Sequence, residues 1–204
     1  MTNMIVDFDP DGHLYTVDGE PVPSVTQLVA PLGADYDEPD DLMEGVLDAA
    51  AERGITMHDY LAFRLKGGER YDYELPDAYE AYADAVEDFI AEHEITPLLI
   101  ETPMPGVGFA GTPDLVAEFD GKVTILDWKF VSQIDKTKVG AQLAGYSILC
   151  DVSGIPVDDL VAVQFLPGDY RLYPVESTEQ AKEDFYLVQD VYDAKMRPHT
   201  RGKI

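Results

Sequence analysis

Cysteine is nearly absent: Cys150 stands alone in 204 residues. A single thiol cannot build an internal disulfide framework, and it fits a reducing cytoplasm. Long apolar runs are missing too. No stretch approaches the ~20 residues needed to span a bilayer, and no basic-then-apolar opening marks an export signal, so no membrane partner is expected. Basic residues are the third scarcity. Fourteen Lys and Arg stand against forty Asp and Glu, a formal charge of −26, and the first base is Arg53. Nucleic-acid binding ordinarily rests on Lys and Arg neutralising phosphates, so a surface-wide interface of that kind is excluded. Two readings remain. Phosphate contacts could be confined to three basic clusters, at residues 53–70, 122–138 and 195–203, or the acidic surface could imitate DNA and occupy a DNA-binding partner.

What is present is concentrated in one stretch. Phe109 to Phe119 reads as an apolar strand, Asp120-Gly121 as a two-residue hairpin turn, and Val123 to Phe130 as the returning strand. Counting outward from the turn places Asp114 directly opposite Asp127. Opposed residues on one face have Cβ atoms about 4.5–5.5 Å apart, and like charges so placed repel. The strands are apolar on both faces, which predicts a sheet covered on both sides. A divalent cation such as Mg²⁺ or Mn²⁺ would offset the repulsion, because hard cations take carboxylate oxygens. Lys129, two residues beyond Asp127, falls on the same face, while Trp128 between them faces the opposite core. Two acids and a lysine at one point suit metal-assisted attack of water on a phosphodiester.

The run Gly111-Thr112-Pro113-Asp114, then Asp127-Trp128-Lys129, then Gln142 and Tyr146 on a following helix, resembles the PD-(D/E)XK nuclease superfamily. It is most similar to the branch of phage and bacterial exonucleases related to the RecB nuclease domain. Upstream, Arg53 to His58 resembles that branch's R-G-x-x-x-H helix, and residues 13–26 resemble the opening of phage members. The likeness touches most of residues 13–146. It implies an α/β fold, a mixed central sheet flanked by helices with a restriction-endonuclease-like core, and Mg²⁺- or Mn²⁺-dependent DNA cleavage in recombination or repair. The setting would be the cytoplasm of a bacterial cell or phage-infected host. His58, Asp114, Asp127 and the backbone carbonyl of Trp128 would be the metal ligands. Lys129 would be the catalytic lysine and Glu101 the strand glutamate beside the metals; Gln142 and Tyr146 would support the lysine, the water or the scissile phosphate. The lone cysteine excludes the four-cysteine iron–sulfur cluster of some relatives. Phe130 stands where the family commonly has Thr or Ser. DNA is the implied partner, with a recombination protein such as a single-strand annealing protein and a homo-oligomer both compatible.

The rest of the chain frames this centre as one domain, 1–204, of 46% hydrophobic composition. It divides into an N-terminal hairpin and helices (1–95), a catalytic sheet core (96–175), and a C-terminal helix with a basic tail (176–204). Residues 4–22 read as strands around the turns 9–12 and 18–19. Ser24 sits at a helix N-cap; Ser24 or Thr26 could meet a phosphate there, or simply cap the helix. An acidic loop at 34–41 precedes a helical period in Leu42, Val46, Leu47 and Ala50; Gly54 should interrupt it before a helix from Thr56 to Leu65 carrying His58. By itself His58 reads as a partly buried histidine, and neutral imidazole is also a good metal ligand. Pro76 should open a helix to His93 whose Tyr79 and Tyr82 pack the core or stack bases. Thr96 to Met104 reads as a strand bearing Glu101, and Pro105 to Gly111 as a glycine-rich approach. Residues 131–139 read as a polar loop in which Lys136 and Lys138 meet phosphate, joined in that role by Arg53. Gln142 and Tyr146 share one face of the helix from Lys138 to Cys150. A second hairpin turns at 167–169, and a final helix from Thr178 turns Phe185, Val188, Val191 and Tyr192 inward.

Overall fold

The computed structural model describes residues 4–10, 12–33 and 41–196, without the side chains of 41–47. The acidic loop at 34–40, the side chains of Leu42, Val46 and Leu47, Asp11 of the first turn and the basic tail 197–204 lie outside the described residues.

The hairpin that turns at Asp120-Gly121 lies inside a five-stranded mixed sheet. Strands β4 (Ile95–Ile100), β7 (Leu115–Phe119), β8 (Lys122–Lys129), β9 (Asp159–Leu166) and β10 (Asp169–Pro174) lie in the order β10-β9-β8-β7-β4. All neighbours are antiparallel except β8 and β9. That parallel pair needs a crossover, supplied by helix α4 (Lys136–Ser153). The β7–β8 hairpin has the expected register, Leu115 opposite Leu126 through Phe119 opposite Lys122. Its turn has Asp120 at φ 48° and Gly121 at φ 83°, the pair of positive angles a two-residue turn needs to match strand twist. The Asp120 carboxylate also accepts from the Glu94 amide at 3.0 Å, fastening the turn to the start of β4.

Both faces of the sheet are covered. On one, α4 packs with α1 (Val25–Val29) and α5 (Thr178–Met196) over Val116, Ile125, Leu160 and Ala162. On the other, α2 (Asp41–Leu65) and α3 (Glu80–Glu92) cover Leu115, Leu126, Trp128, Val163 and Phe165. Alternation along β8 therefore sends Leu126 and Trp128 one way and Asp127 and Lys129 the other. Helix α4 is buried on every side from Val139 to Cys150, because α1 and α5 close over the face turned away from the sheet. Gly145 permits that closeness: a Cβ there would meet the Phe185 ring at 2.6 Å and Val25 at 2.9 Å. A smaller sheet, β1 (Val6–Asp9), β2 (Leu14–Val17) and β3 (Glu20–Val22), joins the body where Ala110 N donates to Pro23 O at 3.0 Å.

Several expectations are corrected. The strand expected from Phe109 to Phe119 is two pieces, β6 (Ala110–Gly111), paired with β5 (Met104–Pro105), and β7. Pro113 has no N–H to offer a ladder, and the chain leaves strand geometry from Thr112 to Asp114. The strand expected from Thr96 to Met104 ends at Ile100, and Glu101 turns away at φ 43°. Gly54 interrupts nothing: α2 runs through it, since one glycine costs only about 1 kcal/mol and Met57, Tyr60 and Leu61 bury the next turns. Pro76 caps a 3₁₀ turn, Asp77–Tyr79, ahead of α3. Lys136 and Lys138 lie in the first turn of α4, not a loop, because Asp135 caps that helix through Thr137 N and Lys138 N. Val191 on α5 is exposed rather than inward.

Candidate active site

The break at Thr112-Pro113-Asp114 shapes the site. Where the ladder would continue, Asp114 Oδ2 accepts from the Trp128 amide at 2.8 Å, a side-chain oxygen standing in for a strand carbonyl. Its backbone carbonyl accepts from Glu101 N at 3.1 Å. Asp114 is thus held through its backbone on one side and its carboxylate on the other, with Oδ1 left facing His58 Nδ1 at 3.5 Å. His58 arrives from α2 over the end of the sheet. Asp127, 1% exposed, points from β8 under α4.

Helix α4 completes the set with one side chain. Gln142 Nε2 donates to Asp127 Oδ1 and to the Tyr146 hydroxyl, both at 3.1 Å, and Gln142 Oε1 accepts from Lys129 Nζ at 3.1 Å. Gln142 therefore spans carboxylate, ammonium and phenol, and fixes how they sit. Lys129 Nζ also lies 2.5 Å from Asp127 Oδ2, close enough for strong charge attraction but not aligned as a hydrogen bond. Asp127 Oδ2 is consequently a buried carboxylate oxygen that accepts no hydrogen bond.

Electrostatics separate the two acids. Burial pushes the Asp127 carboxyl up to about 6; Lys129 opposes the rise and Asp114 adds to it. Asp114 is partly exposed, at 15% of its side chain against 1% for Asp127, and His58, Lys129 and the Trp128 amide outweigh the burial it has and hold it below the usual carboxylate range. Burial alone would lower His58, and Asp114 overcomes it to raise the imidazole. Burial likewise works against the Lys129 ammonium, and Asp127 with Asp114 keep it charged. Tyr146 is pushed up by burial and stays neutral. Glu101 is raised by burial, with Lys66 opposing.

These groups line one cleft of about 710 Å³, together with Glu101, Ser24 and Thr26. Among the described residues no three His, Cys, Asp or Glu side chains are gathered tightly enough to enclose a cation as they stand. His58 leans on Asp114, and Lys129 on Asp127. The donor chemistry nevertheless fits a hard divalent ion: two carboxylates, one buried and with an oxygen lacking any hydrogen bond, and an adjacent imidazole.

The other expected residues divide. Ser24 lines the cleft but its hydroxyl is engaged with Gln27 N in a capping box. Thr26 lines the cleft beside Tyr146. Lys138 borders a smaller cavity of about 280 Å³ that shares Thr26, Lys129 and Gln142 with the cleft. Lys136 lies instead over the Tyr173 ring, in a separate groove. Arg53 does not line the cleft; it donates to Phe130 O at 2.9 Å and covers the Tyr82 ring, bracing the end of β8. The Trp128 indole is in the far core. Sequence reasoning missed Asp59, next to His58, and the wall made by Phe8, Pro10, His13 and Tyr15. Helical neighbourhood to His58 was the available signal for Asp59; nothing local signals that the first hairpin closes over residues 100 positions away.

No family model matches the chain, and no curated protein matches it. Among solved structures it is similar to an alkaline exonuclease (LHK-Exo) from Laribacter hongkongensis, with 15% identity, 84% of this chain and 88% of that chain covered, and a TM-score of 0.40. It is also similar to a protein described as SSO0001, with 15% identity, 70% and 87% covered, and a TM-score of 0.32. Likenesses this loose assign no function, and the chemistry has to be argued from the cleft itself.

Proposed function

We propose that this protein is a metal-dependent deoxyribonuclease of the PD-(D/E)XK type, acting as an exonuclease in phage or bacterial DNA recombination or repair. The observation that carries the reading is the meeting of Asp114, Asp127, Lys129 and His58 in one cleft. These are the residues that the order of sequence motifs singles out.

In this reading His58, Asp114, Asp127 and the Trp128 carbonyl hold Mg²⁺ or Mn²⁺. Bound there, such an ion polarises the scissile phosphoryl group and acidifies water. The chain's own groups do the rest. Lys129, kept protonated by the acids, orients the attacking water and offsets charge developing on the phosphate oxygens. Gln142 holds the ammonium in place from its fixed position on α4, and Tyr146 anchors the Gln142 amide. Glu101 stands beside the acids in the cleft, and Lys138, with Thr26, takes a neighbouring phosphate.

The test is incubation of purified protein with end-labelled linear, circular and single-stranded DNA, with and without Mn²⁺. Metal-dependent release of nucleotides from linear DNA, abolished by Asp127→Ala and by Lys129→Ala in folded protein, is the expected result. Full cleavage by both variants removes the assignment. Absence of cleavage by the wild type, with binding to a DNA-processing protein that DNA displaces, would favour the acidic mimic instead.

A further inference from the structure

The cleft is poor in positive charge. Among the described residues that line it only Lys129 is a Lys or Arg, and it is turned to Asp127, while Asp59, Glu101, Asp114 and Asp127 are acidic. The nearby arginines are engaged: Arg64 is bound to Glu87, Arg70 to Glu80 and Asp84, and Arg53 to the Phe130 carbonyl. Lys138 borders the adjoining cavity and Lys66 lies near Glu101. Inside the cleft itself phosphate pairing offers a strand little, which leaves room for a contact that does not depend on charge.

The wall missed by sequence reasoning offers that. The Phe8 and Tyr15 rings stack with centroids 4.5 Å apart and planes at 27°. The His13 ring stands edge-on to both, at 5.4 and 5.8 Å, and remains exposed. His13 sits at φ 48°, a left-handed turn position open to His and Asn but uncommon for other side chains, which raises its ring beside the stack. The cluster is tied to the chemistry, because the Tyr15 hydroxyl bonds Thr112 Oγ1 at 2.8 Å, two residues before Asp114. Phe8 and Tyr15 also pack the small sheet's own core, so for them a purely structural role is sufficient. His13 touches that core only at its rim, edge-on to both rings, and otherwise faces the cleft and solvent.

Resting on the nuclease reading above, we infer that His13, backed by the Phe8–Tyr15 stack, is a nucleobase-stacking subsite that holds one unpaired base of single-stranded DNA beside the scissile phosphate. Stacking needs no positive charge and accepts any base, since every base has a π-face. It also selects single strands or frayed ends, because a paired base has both faces covered by its neighbours.

The experiment compares the wild type with His13→Asn, which keeps a residue at ease with positive φ but lacks a ring, and with His13→Tyr, which restores one. Thermal melts check that each folds. Single-stranded oligonucleotides carrying 2-aminopurine at successive positions are bound in EDTA, where no cleavage occurs. One position should be quenched by the wild type and His13→Tyr and not by His13→Asn. With Mn²⁺, an abasic site at that position should lower wild-type kcat/KM about tenfold, the scale of one stacked base, and should lower His13→Asn hardly at all. Quenching and an abasic penalty that persist in His13→Asn, or that are absent from the wild type, overturn the subsite. A wild type that cleaves no DNA overturns the nuclease reading separately, and the quenching in EDTA still decides whether His13 stacks a base.

Discussion

The most exacting prediction concerns Asp127→Asn in metal-free protein. Asp127 is fully inside, and its carboxyl is raised from the ordinary 3.8 to about 6 even with Lys129 beside it. An acid whose pKa is higher in the folded chain binds its proton more tightly there, so its ionisation opposes folding. The stability lost accumulates as pH rises from about 4 to about 6 and is complete above that. A shift of about two units corresponds to about 3 kcal/mol. Asparagine resembles the protonated acid in shape and is never charged, so it should recover much of that. For a chain of this length the gain amounts to a rise in Tm of about 6–12 °C. Melts in EDTA should therefore show the variant more stable than the wild type at pH 7.5, with the gap closing toward pH 4. Mn²⁺ at about a thousand times Kd should reverse the order, because an ion bound only by the folded wild type stabilises it by mass action, by about 4 kcal/mol at that excess. A variant no more stable than the wild type in EDTA at pH 7.5, or a gap indifferent to pH, would refute the claim that this carboxylate is held in place against the preference of the fold.

Five further outcomes follow from other contacts and from the charge of the cleft. Glu87→Gln should cost about 1–3 kcal/mol at neutral pH in urea melts, because Arg64 grips both Glu87 oxygens at 2.6 Å and joins α2 to α3. The Glu87 pKa is lowered chiefly by Arg64, so its contribution is present above the ordinary glutamate range and vanishes as pH falls through the lowered value. Gln142→Leu should lower kcat at least about tenfold, far more than it changes KM, by freeing Lys129 and Tyr146 from their shared partner; an unchanged kcat would deny Gln142 a positioning role. Gly54→Ala should stabilise by about 0.5–1 kcal/mol, since α2 continues through an open position, whereas Gly145→Ala should destabilise by about 1–3 kcal/mol through its collision with Phe185. Oligonucleotide affinity in EDTA should depend only weakly on salt, a slope near one or two phosphates, about 0.7 per contact for a single strand.

What could be read from the sequence was local or backed by a pattern. Asp120-Gly121 fixed the hairpin register because a two-residue turn leaves only one pairing; the ladder stops at Leu115 opposite Leu126, so Asp114 is not a strand partner of Asp127 but lies just beyond the last pair, bonded to the Trp128 amide. Ser24 was legible as a cap because its hydroxyl acts within one turn, and the structure adds Gln27 as the other half of a capping box. The losses were non-local. Arg53 finds its partner at Phe130, 77 positions on, so a base that looked available for phosphate is occupied. Helix α4 is buried all round and shows no amphipathic period, so spacing alone could not say that Gln142 faces Lys129. Gly54 misled because a helix answers to the packing of its whole length and not to its weakest residue.

The broken strand is the most instructive miss, because the break is what makes the cleft. An unbroken ladder from Phe109 to Phe119 would engage the Trp128 amide with a backbone carbonyl, and Asp114 would be one more residue in a sheet. Pro113 prevents that, and the amide takes the Asp114 carboxylate instead, leaving one oxygen turned toward His58. Asp127, on the unbroken strand, has no such amide. Gln142 donates to one of its oxygens, and the other is ion-paired with Lys129 at 2.5 Å. The two acids thus differ in pKa direction through one backbone N–H and one histidine, which Asp114 has and Asp127 lacks, with the deeper burial of Asp127 adding to the difference. A cation between them would meet one carboxylate already ionised and rigid and another that gives up a proton to receive it, and only the second should make metal affinity fall steeply below about pH 6.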